Sequence, residues 1–306
     1  IGSSGSGKTT LLKMINGLIL PDGGNILINQ TDIKNEDLIK LRRRIGYCVQ
    51  GSVLFPHMTV EENISYVPNL LSKKNKLEVK SAVNKWMEIV GLPNDMKVRY
   101  PSELSGGQQQ RVGIARALAF SPEILLMDEP FGAVDEITRK QLQKEIKEIH
   151  KKTGVTIIFI THDLGVVANI ADKVAVMYGG QMVETGDVNE IFYDPKHPYT
   201  WGLLSSMPDL TTSNDTDLIA IPGTPPDLLH PPIGDAFARR SRYALDIDFK
   251  EEPPWFKISP THFVKSWLLD ARAPKVTPPS MVQKRLRTMP SNYEQPHRVE
   301  RVAFNE

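Results

Sequence analysis

Cysteine is almost missing. Cys48 is the only one in 306 residues, which excludes an intrachain disulfide and fits a reducing compartment. Long apolar runs are missing as well, since none approaches the roughly 20 residues that cross a bilayer. No charged-then-apolar leader opens the chain. Charge of one sign is not in excess: 37 Lys and Arg against 36 Asp and Glu leave a net +1. A broad nucleic-acid surface shows as a strong basic excess, so that class is disfavoured, although a local patch stays compatible. On these grounds the chain reads as soluble and cytoplasmic.

Proline is abundant but unevenly spread. Seven prolines occur up to Phe192 and sixteen from Tyr193 onward. The first part alternates short apolar runs with amphipathic stretches, the pattern of an α/β domain. Strands are expected at Asn25 to Gln30, within Ile45 to Val49, at Ile124 to Met127 and at Thr156 to Ile160. The last two are continuously apolar, as parallel strands covered on both faces are. Helices are expected at Thr10 to Gly17, Ser81 to Val90, Gln109 to Phe120 and Ile137 to Lys152. The part from Tyr193 reads as an irregular appended module with a flexible end after about Val276.

Chemistry begins at residue 2. Gly2-Ser3-Ser4-Gly5-Ser6-Gly7-Lys8-Thr9 has the spacing G-x-x-x-x-G-K-[ST] of a phosphate-binding loop, followed by Thr10 in the expected helix. Backbone N–H groups of such a loop wrap nucleotide phosphates, its lysine reaches the β and γ phosphates, and its Ser or Thr holds Mg²⁺. A helix N-terminus behind the loop adds attraction for anions. Only Ile1 precedes the loop here, so the strand that normally feeds it is expected to be missing.

Two further segments narrow the class. The apolar run ending in Asp128-Glu129 places two acids at a strand end; beside a phosphate loop, Asp128 serves Mg²⁺ directly or through water. Glu129 then lies where it can polarise an attacking water. Alone, the same residues read as a buried strand ending in solvated carboxylates. Leu104-Ser105-Gly106-Gly107-Gln108, trailed by Gln109-Gln110-Arg111, offers a glycine-bearing helix start to an anion. It also reads as a helix capped by serine.

In this order along the first part, these motifs resemble the ATP-binding cassette (ABC) ATPases. The resemblance implies an α/β fold: a P-loop NTPase (ABC ATPase) core at 1–50 and 111–192, a helical subdomain at 51–110 and an irregular C-terminal extension at 193–306. It identifies Gln50 with the family's lid glutamine, which contacts Mg²⁺, His162 with the switch histidine and Asp135 with the aspartate after the acidic pair. Catalysis would then use Glu129, His162 and Gln50, and metal binding Thr9, Gln50 and Asp128. Ser105, Gly106, Gly107 and Gln108 would face ATP across a head-to-tail dimer. The implied cofactors are ATP and Mg²⁺. The implied partners are membrane permease subunits, a second ABC ATPase subunit, identical or not, and an extracellular substrate-binding protein, without nucleic acid. The implied place is the cytoplasmic face of the cell membrane.

The two ends resemble different importers. Phe55-Pro56-His57-Met58-Thr59-Val60 and Asp128-Glu129-Pro130-Phe131-Gly132-Ala133-Val134-Asp135 are similar to ATPases of glycine betaine and other quaternary-amine importers. From about Thr153 the likeness changes. Tyr193-Asp194-Pro195-Lys196-His197-Pro198-Tyr199-Thr200 and Ile221-Pro222-Gly223-Thr224-Pro225-Pro226 are similar to oligopeptide and dipeptide importer ATPases. Two explanations cover the change, a composite of two related genes, natural or from sequence assembly, or a family member with unusual motifs, and the composite is the favoured expectation. The tails of peptide-importer ATPases often carry four cysteines for an iron–sulfur cluster; here those positions hold Asp235, Ser241, Asp248 and Ser266. Without thiolates no cluster is expected. The leading expectation is the ATPase of a peptide importer, with a quaternary-amine importer as the alternative and a soluble ABC ATPase of ribosomes or DNA as a remote one. Family members also have strands and an adenine-stacking aromatic before the loop, so weak activity or poor solubility is expected of this chain.

Overall fold

Apolar runs that read as strands do pair as strands. The computed structural model describes residues 1–51, 53–70, 76–132, 134–206, 221–289 and 299–302. They form two compact units, Thr9–Thr161 and a second made of Ile1–Lys8 with His162–Glu306.

Along the first unit the elements are α1 (Lys8–Ile15), β1 (Leu27–Ile28), β2 (Thr31–Asp32), α2 (Leu38–Arg43), β3 (Ile45–Cys48), α3 (Val60–Leu70), α4 (Lys76–Ile89), α5 (Gly106–Leu118), β4 (Ile124–Asp128), α6 (Glu136–Thr153) and β5 (Thr156–Ile160). Strands β3, β4 and β5 are parallel with β4 central, Tyr47 opposite Leu126 and Leu126 opposite Ile158. Leu125, Leu126 and Met127 are fully buried, and each such side chain contributes roughly 1.5–3 kcal/mol by leaving water. Leu12 of α1, Leu41 of α2, Ile45, Leu126 and Ile160 share one core cluster. The sheet thereby fixes where its carboxyl ends, and the acids on them, emerge.

One strand expectation is corrected. Asn25 to Gln30 is not a single strand but part of a hairpin, with Ile28 opposite Thr31 and a two-residue turn at Asn29 and Gln30. Both turn residues have positive φ, 50° and 65°, as the turn that matches strand twist requires. The sequence Asn-Gln lacks the glycine that usually announces such a turn.

In the second unit follow α7 (Leu164–Ile170), β6 (Lys173–Tyr178), β7 (Gln181–Asp187), α8 (Val188–Tyr193), α9 (Pro198–Ser205), β8 (Trp255–Lys257), β9 (Phe263–Lys265), α10 (Ser280–Arg287) and β10 (Glu300–Val302). Five strands make one antiparallel sheet in the order β10-β8-β9-β7-β6. Thus the proline-rich tail is less irregular than expected, because its β8–β9 hairpin extends the β6–β7 sheet. The flexible end expected after Val276 is likewise corrected: α10 buries Val282, and Lys284, Arg285 and Arg287 in its last turn complement the helix dipole. Residues 290–298 and 303–306 of that end lie outside the described residues.

Ile1 is tied into the same unit. Its N–H donates to Ala175 O at 2.7 Å and its carbonyl accepts from Met177 N at 2.8 Å, the exchange of a parallel bridge opposite Val176. Among the described residues no helix is long and apolar enough to cross a membrane.

Candidate active site

The loop Gly2 to Lys8 packs close against β6. A Cβ on Gly2 would lie 2.1 Å from Met177 O, so only glycine fits there. Gly5 and Gly7 take φ of 76° and 91°, which curl the backbone in a way other residues resist. Lys8 Nζ reaches back over the loop, donating to Gly2 O at 2.8 Å, Ser3 O at 2.7 Å and Ser6 Oγ at 3.3 Å. The ammonium is therefore held inside the curl, where phosphate oxygens could take over these bonds.

In the first unit, the second residue of α1 meets the end of β4. Thr9 Oγ donates to Asp128 Oδ1 at 3.2 Å. Thr9 is exposed, whereas Asp128 is buried. The Asp128 charge, second to burial, pushes the nearby Tyr47 phenol above its ordinary pKa. A hydroxyl and a carboxylate this close form a hard-oxygen donor set, which fits Mg²⁺.

Glu129 leaves the strand in a left-handed conformation, φ 45°, although its N–H still completes the ladder to Ile160 O at 3.0 Å. Such backbone in a non-glycine residue costs on the order of 1–3 kcal/mol and gathers at functional sites. Gln50, two residues beyond β3, points its Nε2 at Glu129 Oε2, 3.4 Å away. Pro130 and Phe131 behind the acid are buried, Phe131 edge-on to Phe159 at 6.3 Å.

The segment after Gln50 is pinned by Asn63 and Arg116. Buried Asn63 accepts from Phe55 N at 2.9 Å and donates to the carbonyls of Phe55, Met58 and Thr59. Arg116 donates to Val53 O at 2.7 Å and lies over the Phe55 ring. Sequence reading missed both residues; a helical asparagine at a core position was the available signal.

Ser105 caps α5. Its Oγ accepts from Gln108 N at 3.3 Å while Gln108 Oε1 accepts from Ser105 N at 2.9 Å, a reciprocal capping box. The capping interpretation of this motif is thus realised in the fold, and Ser105 and Gly106 remain exposed. Asp135 caps α6 by accepting from Thr138 N at 3.0 Å. That bond and others in the first helical turn hold the Asp135 carboxyl below its ordinary pKa. The two helix starts touch: a Cβ on Gly107 would lie 2.5 Å from Thr138 Cγ2. Thr138 was not singled out from the sequence, though Asp-x-x-Thr at a helix start signals the cap.

His162, in the second unit, is exposed and two residues beyond β5, immediately before Asp163, which caps α7 through Val166 N at 3.1 Å. The structure therefore brings together Thr9 with Asp128, Gln50 with Glu129, and Ser105 to Gln108 with the Asp135 helix start. In the second unit Lys8 is brought together with Gly2, Ser3 and Ser6.

The four positions compared with cluster cysteines each hold a turn. Asp235 Oδ1 accepts from Phe237 N at 2.8 Å, Ser241 Oγ from Tyr243 N at 3.2 Å, Asp248 Oδ2 from Leu245 N at 2.6 Å and Ser266 Oγ from Leu268 N at 3.4 Å. Burial first, and the Asp235 charge after it, raises the Asp248 carboxyl to about 6. Cys48 is buried, its Sγ 3.7 Å from Gly113 O, and burial pushes its thiol up to about 12.

Comparison with known proteins follows the same division. The family "ABC transporter" matches residues 1–132, and "Oligopeptide/dipeptide transporter, C-terminal region" matches residues 183–247. An oligopeptide transport ATP-binding protein of Bacillus subtilis is 49% identical over 99% of this chain and 88% of the relative. A carnitine transport ATP-binding protein of Listeria monocytogenes is 46% identical over 69% of this chain and 54% of the relative. Among solved structures, an ATP-binding cassette described as a dimer in a post-hydrolysis state with ADP and Pi is 31% identical. Its TM-score is 0.56, covering 61% of this chain and 83% of that one.

Proposed function

Because this chain belongs to the ABC transporter ATPases, we propose that it couples ATP binding and hydrolysis to uptake of oligopeptides or dipeptides through membrane permease subunits. The observation that carries the substrate class is a relative named for oligopeptide transport that is 49% identical over nearly the whole chain. The match of 183–247 to the peptide-transporter C-terminal region adds to it.

Gly2 to Thr9 and Thr10 would bind the phosphates, with Lys8 supplying the charge. Mg²⁺, held by Thr9, Asp128 and Gln50, would neutralise phosphate charge. Glu129 would take a proton from the attacking water, oriented by Gln50, and His162 would contact the γ-phosphate. Ser105, Gly106, Gly107, Gln108 and Asp135 would complete a site shared with a second ATPase subunit. Residues 51–110 are assigned as the helical subdomain that meets the permease. Residues 1–50 with 111–192 are the ATPase core, and 193–306 the extension. The subunit would sit on the cytoplasmic face of the membrane and receive peptide from an extracellular binding protein.

The test is uptake in a cell lacking this subunit. Labelled dipeptide or oligopeptide should enter when the unaltered gene is restored and not with Glu129→Gln, whose phosphate release should fall about 10²–10⁴-fold. Restored uptake of glycine betaine or carnitine without peptide would overturn the peptide reading in favour of the quaternary-amine one.

A further inference from the structure

The segment Asp194 to Thr200 has no part in the chemistry above, yet it is built around a buried acid. Glu184 on β7 is fully buried; it accepts from Lys196 N at 2.6 Å and His197 N at 3.2 Å and faces His262 Nε2 at 2.8 Å. Burial, the largest single influence, opposes ionisation, but the bonds from His262 and the Lys196 N–H help hold its carboxyl below the ordinary range. The segment is thereby anchored at its base. His197 then caps α9, its Nδ1 accepting from Tyr199 N at 3.0 Å, and Pro198 occupies the first helical turn.

Tyr199 is the tip of this device. Its ring is buried between Tyr178, 4.5 Å away, and Phe237, 5.3 Å away. Its hydroxyl accepts from Ser3 N, inside the phosphate-binding loop, at 2.9 Å. Tyr178 in turn accepts from Arg240 Nη1 at 3.0 Å, and Arg240 also donates to Pro222 O and Ile221 O. A continuous set of contacts therefore runs from the proline-rich extension to the second residue of the loop.

We propose that Tyr199 is a positioning residue for the phosphate-binding loop, through which the C-terminal extension sets nucleotide affinity. The proposal rests on the ATPase reading above. A loop with glycines at 2, 5 and 7 loses much conformational freedom when it closes on a ligand. Holding one of its amides beforehand removes part of that cost. A backbone amide has one N–H, so Ser3 N bonded to Tyr199 contributes position, leaving the amides that follow for phosphate.

The test uses the full chain and isothermal titration with MgATP and MgADP. Tyr199→Phe keeps the ring and removes only the hydroxyl. It should weaken nucleotide binding about three- to tenfold, the worth of one net hydrogen bond, with kcat within about twofold and the melting temperature lowered by at most a few degrees. Hydrogen exchange at the Ser3 amide should quicken. Arg240→Met, which acts one contact further out, should shift affinity in the same direction but less. Unaltered affinity in Tyr199→Phe, or an affinity loss that merely tracks a fall in melting temperature, overturns the proposal. An unaltered chain that binds neither nucleotide sinks the ATPase reading itself, and this inference with it.

Discussion

Thr9 and Asp128, 119 residues apart in sequence, meet at 3.2 Å, hydroxyl to carboxylate. One belongs to the second residue of α1 and the other to the last residue of β4. Their meeting follows from burial, since Leu12 and Leu126 lie in the same core cluster and bring helix and strand together.

Thr9→Ala and Asp128→Asn should each lower apparent Mg²⁺ affinity by about 10- to 100-fold, the range for losing an orienting partner at a metal. Titrating Mg²⁺ at fixed ATP in a phosphate-release assay reads this directly. Equal Mg²⁺ dependence in variant and unaltered chain would refute the pair as the metal site.

Ser105 has a stabilising role and a proposed nucleotide-binding one, and substitution separates them. Ser105→Ala should destabilise the chain by about 1 kcal/mol through loss of the cap. Ser105→Asn keeps a capping oxygen, so urea melts should return close to the unaltered curve. Hydrolysis should nonetheless stay about ten- to hundredfold low in both, the worth of a bond to a charged phosphate.

Gly107 and Thr138 predict a coupled pair. Gly107→Ala forces a methyl against Thr138 Cγ2, where a Cβ would approach to 2.5 Å, and overpacking of this kind costs about 1–3 kcal/mol. Thr138→Ser removes that methyl while keeping the hydroxyl. A double-mutant cycle should therefore show the serine recovering part of the loss; strict additivity would mean that the helix starts do not bear on each other.

Much of this was legible from residues alone. The apolar runs of β4 and β5 announced parallel strands because both faces are covered, and the loop spacing announced its curl. The charged pairs Glu136–Lys140 and Glu148–Lys152, at i,i+4 spacing, lie on the exposed side of α6. What escaped depends on contacts distant in sequence. Nothing around Tyr199 signals that its hydroxyl reaches Ser3, and the strand character of Trp255 to Lys257 is realised only by pairing with β9 and β10. Thr138 and Asn63 escaped for a different reason: apart from the Arg116 guanidinium beside Asn63, their partners are backbone groups and a glycine, which leave no pattern of charge or hydrophobicity.

Asp248 makes stability depend on pH. Its carboxyl titrates near 6 in the folded chain against an ordinary 3.8, so the folded state holds the proton more tightly than the unfolded one. Its contribution is fully present below about pH 4 and is lost as pH rises through about 6. Asp248→Asn should flatten that slope and melt higher than the unaltered chain above pH 6, while the Leu245 N–H keeps an acceptor. Superimposable melting curves for the two chains across pH 4 to 7 would refute this.

The solitary thiol has a practical consequence. At neutral pH Cys48 stays protonated inside the fold, and maleimides require a thiolate they can reach. These 306 residues are thus already a silent background for site-directed labelling. A cysteine placed at Ile137, 83% exposed, or at Leu229, 84% exposed, would take a dye or spin label alone.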